Sequence, residues 1–157
     1  MRSAQMLAGQ IIASRPPQVP FNIVSLIKDA GIALYFCPFP DEVSGVYTAH
    51  FGTPAIGINA FHPRVRQRFT MAHEFYHHIM PEPNGVSLSA ESVKLYERRA
   101  DKFAVELLMP RSAFAAVFAR ARNIVDVAHT FDVSVQAATI RATELRLIND
   151  FTRGMSA

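Results

Sequence analysis

Two periodicities divide the chain. In "MRSAQMLAGQIIASRPPQ" and "FNIVSLIKDAGI" apolar residues recur at helical spacing, so each stretch predicts an amphipathic helix. Pro16 and Pro17 end the first. In the second, Asn22 is placed as an N-cap and Gly31 where a left-handed C-terminal residue belongs. Strand-like pieces follow in "ALYFCPF", "GVYTAHF" and "PAIGINA", separated by turn signals at Pro38 to Ser44 and at Gly52 to Pro54. The connections are too short for helical crossovers, so a small antiparallel three-stranded sheet is expected. Pro63 then suits a first helical turn, with Asn59 or His62 as possible caps, and the helix should run to about Met80 before the loop at "PEPNG". A long helix fits 90–109, with Ser89 as cap and Pro110 as stop. The rest is helical: "RSAFAAVFARA", then two short pieces hinged near "FDVS". Strands come first and helices after, which favours α+β over a doubly wound sheet.

Composition narrows the class. At 157 residues, with 50% hydrophobic and 18% charged residues, the chain reads as one globular domain. A single cysteine, Cys37, forms no internal disulfide and excludes a four-cysteine zinc module, in keeping with a reducing cytoplasm. The N-terminal apolar run resembles a weak signal peptide, but Gln5 and Gln10 break it and a plain helix is the better reading. No apolar run approaches the ~20 residues that span a bilayer. The formal charge of +3 is a mild pull toward nucleic acid or an acidic partner and decides nothing.

Within the predicted third helix, "RFTMAHEFYHHIM" carries three histidines and a glutamate. "HEFYH" matches H-E-x-x-H. Positions i and i+4 share a helix face, so His73 and His77 can grip one ion, with imidazole suited to zinc at ~2.0–2.1 Å. Glu74, one step around, is placed to take a proton from a water beside the ion. A five-residue pattern also occurs by chance. Here Val65, Phe69, Ala72 and Ile79 surround it, and unpaired polar groups in apolar surroundings are costly. His78 is rotated off this face and is expected to make a surface or loop contact.

A catalytic zinc needs a third protein ligand. On "SVKLYERRADKFAVELLMP" the apolar arc comprises Val93, Tyr96, Ala100, Phe103, Ala104, Leu107 and Leu108, and Glu97 falls inside it. Glu91 and Glu106 point away. A carboxylate in a core-facing stripe is explained by a metal or, more blandly, by a nearby arginine. Asp101, one turn on, could accept a ligand histidine's free ring N–H. The residues thus nominate His73, His77 and Glu97 as ligands, Glu74 as base and Asp101 as orienting carboxylate. The ion expected is zinc, with manganese and iron as alternatives because nitrogen and oxygen ligands accept several divalent ions.

H-E-x-x-H followed by E-x-x-x-D resembles the thermolysin-like zinc peptidases. More closely, "INAFHPRVRQRFTMAHEFYHHIM" with "ERRADKFAVELLMP" resembles the ImmA/IrrE metallopeptidases of bacteria and phages. The likeness runs from the second helix to the C-terminal helices. It implies a zinc-dependent endopeptidase whose protein substrate is a helix-turn-helix repressor, cut in a stress or mobile-element response. The family's ligands fall on His73, His77 and Glu97, and its catalytic glutamate on Glu74. On this reading residues 1–121 form a zincin-like metallopeptidase domain and 122–157 a helical tail packed on it. Tyr76 stands where the family often has glycine, so its ring should narrow the cleft or pack on the sheet. The chain ends soon after the tail, which argues against activation through the sensor domain of some relatives. Tyr47, His50, Tyr96 and His129 are all candidates by type to stabilise the oxyanion.

"VDVAHTFDVSVQAATIRATELRLI" also fits a helix-turn-helix, with Ala128, Val133, Ser134 and Ile140 at packing positions. This gives a second hypothesis, a DNA-binding regulator. Against direct nucleic-acid binding, the second helix offers only Gln136, Arg141 and Arg146, and Asp132 would repel phosphate. A third is a metal-binding partner, toxin–antitoxin-like, that holds its repressor without cutting it.

Overall fold

The computed structural model describes residues 3–49, 52–81 and 89–148, and its sheet is centred on the strand that comes last in sequence. Strands β1 (Ala33–Cys37), β2 (Gly45–Thr48) and β3 (Ala55–Asn59) lie in the order β1-β3-β2. β2 pairs antiparallel with β3, but β1 pairs with β3 in parallel. The all-antiparallel expectation is therefore corrected to a mixed sheet within the same α+β class. Residues 38–44 need only step past two strand spacings, ~10 Å, to set β2 down antiparallel to β1 without touching it. β3 then fills the gap. It is the most buried of the three strands, with Ile56 and Ile58 fully enclosed.

The amide of Asn59 closes the end of that strand. It donates to the carbonyls of Phe39, Pro40 and Val43 at 3.2, 3.0 and 2.8 Å, tying the 38–44 loop down. His62 points its Nε2 at the Asp41 carbonyl, 3.1 Å away. Neither caps the next helix. That helix, α3 (Arg64–Ile79), starts from Pro63 at the cap position with no side-chain hydrogen bond.

The helices before the sheet follow their caps. In α1 (Ala4–Ala13) Ser3 accepts from the Met6 N–H, and in α2 (Ile23–Asp29) Asn22 accepts from Ser25. Gly31 leaves α2 at φ +71°, as its position predicts. Helix α4 (Ala90–Leu108) begins at Ser89 and packs along α3 and α1. Phe75 of α3, Phe103 and Leu107 of α4, Ile23 and Ile27 of α2 and the inner face of β3 belong to one buried cluster. Burial at ~25 cal/mol per Å2 of apolar surface is what holds α3 against both the sheet and α4.

The cluster continues into α5 (Arg111–Phe118), α6 (Ile124–Phe131) and α7 (Val135–Glu144) through Phe114, Phe131 and Ala138. Ala128, Val133 and the Ser134 cap occupy the positions the helix-turn-helix pattern assigns, but Ile140 is exposed. Arg141, counted above among groups available to DNA, is buried. It donates to the Met109 carbonyl at 3.1 Å and pairs with Glu106 of α4. The turn is engaged as well. Asp132, left-handed at φ 53°, accepts from Arg64 Nη2 at 2.8 Å and sits 3.2 Å from Arg68 Nε. Arg68 also donates to the carbonyls of Asp132 and Phe21 at 3.1 and 3.0 Å.

Gly45 decides how closely the sheet meets α3. A Cβ there would lie 2.5 Å from Thr70 Cγ2, 3.0 Å from the Gly57 carbonyl oxygen and 3.4 Å from Glu74 Cγ. Gly45→Ala should therefore cost roughly 1–3 kcal/mol in urea unfolding. Adding Thr70→Ser, which deletes the colliding methyl, should recover part of that loss.

Asp132 supplies a pH test. The Arg64 hydrogen bond holds its carboxyl below the usual carboxylate range; burial opposes this and the charges of Arg68 and Arg64 reinforce it. A depressed native pKa stabilises fully above the unfolded value of ~3.9 and is lost as pH falls through the lower native value. Asp132→Asn, which tolerates the left-handed backbone, should cost about 1 kcal/mol at pH 7. Its deficit against wild type should begin to shrink as pH falls below about 4 and vanish only once pH is below the depressed native value.

Candidate metal centre

Helical spacing puts His73 and His77 one turn apart on α3, with ring centroids 4.9 Å apart. α4 crosses so that Glu97 comes between them. Its Oε2 lies 3.1 Å from His73 Nε2 and its Oε1 3.5 Å from His77 Nε2. One donor atom from each of the three falls within 4.8 Å of the others, forming a candidate metal-binding triad. Asp101, one turn along α4, sits with Oδ1 2.9 Å from His73 Nδ1. A proton on Nδ1 shared with that carboxylate leaves the Nε2 lone pair turned toward Glu97. Two imidazole nitrogens and a carboxylate oxygen converging in this way fit a divalent first-row ion.

Glu97 is not in the core stripe where the helical arc puts it; its side chain is 48% exposed. The reason lies in α4 itself. Its first turns project beyond the core, leaving Val93 and Leu95 exposed, so the apolar arc opens onto a cleft at that level. Glu106, expected to face away, instead turns inward to Arg141.

Glu74 is buried on the sheet side of α3 and takes a main-chain hydrogen bond from Tyr47 of β2. Burial pushes its carboxyl above the ordinary range, and Glu97 adds to this; His73 and the Tyr47 bond work the other way. Burial alone would lower His73, but the Asp101 hydrogen bond and the charges of Glu74, Asp101 and Glu97 outweigh it and raise the imidazole. His78, left out of the site by its rotation, bonds the Tyr47 hydroxyl through Nδ1 at 3.0 Å, and burial lowers its pKa.

Tyr76 neither narrows the cleft nor reaches the sheet. It is buried against α4, with ring centroids 5.5 Å from Phe103 and 5.9 Å from Tyr96. Position 76 is rotated away from Glu74 and the sheet, which turns the ring toward α4. Tyr96 in turn packs on the His77 ring at 4.9 Å and donates its hydroxyl proton to the Met80 carbonyl. Of the residues proposed for the oxyanion, Tyr47 and Tyr96 line the cleft, His129 is exposed on α6, and His50 lies outside the described residues.

Two cavities flank the triad. One, of about 670 Å3, lies toward Tyr47, Tyr96 and Pro81. The other, of about 530 Å3, runs past Ser44, Arg66 and Asp101. Both are bordered by Gly45, His73, Glu74 and Glu97, and together they form a groove along β2. β2 pairs with β3 on one side, so its other edge faces this groove. Sequence reasoning does not single out Gly45 and Arg66 for these positions, because their part depends on how the sheet meets α3.

Among the described residues no helix is long and apolar enough to cross a membrane. No curated protein matches the chain. A solved structure of a Mycobacterium tuberculosis transcriptional regulator shares its fold, with a TM-score of 0.66 over 89% of this chain at 16% identity. The chain spans under half, 46%, of that structure's length. The family model of the IrrE N-terminal-like domain, peptidase M78, matches residues 27–143, which include the histidine helix, Glu97 and Asp101. With the match running over most of its length, the chain belongs to the IrrE N-terminal-like family.

Proposed function

We propose that this chain is a metal-dependent endopeptidase, zinc being the ion that best suits its donors. His73, His77 and Glu97 hold the ion, Glu74 is the base and Asp101 orients His73. The observation that carries this reading is the convergence of three ligand-type atoms within 4.8 Å beside a buried carboxylate and an open groove. When bound, such an ion lowers the pKa of coordinated water toward ~7 and polarises a carbonyl. Glu74 receives the proton of the attacking water on its carboxylate and hands it to the departing amine nitrogen. Tyr47's main-chain hydrogen bond keeps that carboxylate turned to the groove. An extended polypeptide lies along the free edge of β2, its main chain hydrogen-bonding to the strand.

The family supports as substrate class a helix-turn-helix transcriptional repressor, met in the cytoplasm during a stress or mobile-element response. The shared fold of a protein described as a transcriptional regulator supports a regulatory setting without choosing between cutting and holding a repressor. Direct DNA binding is the weaker reading. Arg141 is committed to Glu106, and Asp132 to two arginines of α3.

Metal analysis of the purified protein should give about one equivalent of zinc, lost in His77→Ala and in Glu97→Ala. Asp101→Asn should retain the ion but bind it ~10–100-fold more weakly in chelator competition. Equal occupancy in all four proteins would remove the site.

Glu74→Gln separates cutting from holding. It should keep metal and repressor binding while cleavage falls by roughly 10²–10⁴. A mutant that still cuts would show that another group is the base. A wild-type protein that binds the repressor and never cuts it would favour the non-proteolytic partner.

A further inference from the structure

Beyond the groove, α3 and α7 enclose a second hollow of about 350 Å3, walled by Val65, Phe69, Met109, Val133 and Ala137. Met109 and Val133 are almost fully buried there. The far wall is fixed, because Arg64 and Arg68 fasten the Asp132 turn to α3 just before Val133. Arg66 and Phe69 border this hollow and also the 530 Å3 cavity that reaches His73, Glu74 and Glu97. The groove and the hollow therefore adjoin across a shared wall of Arg66 and Phe69, with the triad on one side and apolar residues on the other.

We propose that the hollow is a specificity subsite that takes an apolar side chain of the polypeptide lying in the groove. This inference rests on the peptidase reading. Distances along α3 set the register. At ~1.5 Å per residue, Phe69 and Val65 lie ~6 and ~12 Å before His73. An extended chain advances ~3.3 Å per residue, so the captured side chain sits about two to four residues from the cleaved bond. The occupant is a polypeptide because the hollow adjoins the groove at Arg66, within reach of a side chain on a segment lying there. That guanidinium donates to Ser44 Oγ at 2.9 Å and offers its remaining N–H groups to main-chain carbonyls at the shared wall. A preformed apolar pocket with a few polar groups at its mouth is the usual form of such a subsite.

The test uses the full chain loaded with zinc and a mixture of randomised dodecapeptides, with products sequenced. Leucine, methionine or phenylalanine should be enriched on the order of tenfold at one position two to four residues from the cleaved bond. Ala137→Leu, which fills the hollow, should erase that enrichment. Val65→Ala, which widens it, should shift the preference to bulkier side chains. Cleavage without enrichment, or enrichment unchanged in both variants, overturns the subsite and leaves the peptidase reading standing.

If no peptide is cut, the peptidase reading is decided by the repressor assay above, and binding decides the subsite. Fluorescein-labelled dodecapeptides carrying leucine should bind Glu74→Gln protein about tenfold more tightly than the same peptides carrying aspartate. Ala137→Leu added to Glu74→Gln should remove that difference. Equal binding overturns the subsite. So does a wild-type dimer that Ala137→Leu dissociates, which would assign the hollow to a second copy of the chain.

Discussion

Everything at the candidate site depends on how α3 lies between the sheet and α4. At ~100° per residue the helix divides lengthwise. Arg68, Met71, Ala72, Phe75 and Tyr76 fall on one half and are buried. Arg66, Phe69, His73 and His77 fall on the other and border the groove or the triad. Arg64 and Arg68 are spaced like the two histidines but sit about 180° away from them. One pair fastens the Asp132 turn and the other meets Glu97. The burial that seats the apolar half thereby fixes the direction of the polar half. No loop has to hold the ligands in place.

A helix so divided has little tolerance for displacement on its sheet side. Gly45 lets the β2 backbone come down onto Thr70 and Glu74, and the Tyr47 main chain bonds the same glutamate. The strand therefore does two things at once. It buries the carboxylate, and it leaves its outer edge along the groove. The 38–44 loop that leads into it is held by three carbonyl contacts to Asn59. A residue that reads as a helix cap is in fact the fastening of a groove wall.

Local signals were legible in the sequence and contacts between distant segments were not. Asn22, Ser89 and Ser134 cap the helices they precede, because capping is settled within four residues. The meeting of His73, His77 and Glu97 was foreseeable because two helical periodicities limit which residues can face one another. The sheet was misread since strand order depends on burial: β3, not β2, carries the isoleucines that must be central. Tyr76, Ile140 and Arg141 were misplaced for a related reason. Which side of a helix faces the interior is decided by a neighbour that the local sequence does not name.

Charge sets the last constraint. The chain carries a formal +3, yet among the described residues the groove is bordered by Glu42, Glu74, Glu97 and Asp101, with Arg66 the one arginine or lysine there. Carboxylates this close repel one another; Glu97 is among the groups that push Glu74 upward. Two imidazoles offer lone pairs and no compensating charge while neutral, so a divalent cation is the species that relieves the crowding. Away from such an ion, the same charges disfavour phosphate in the groove. On the proposed reading, a partner of polypeptide and nucleic acid presents its polypeptide here, as an extended segment beside β2. On the proposed reading, that favours linkers and exposed loops over packed helices as the segment the groove receives.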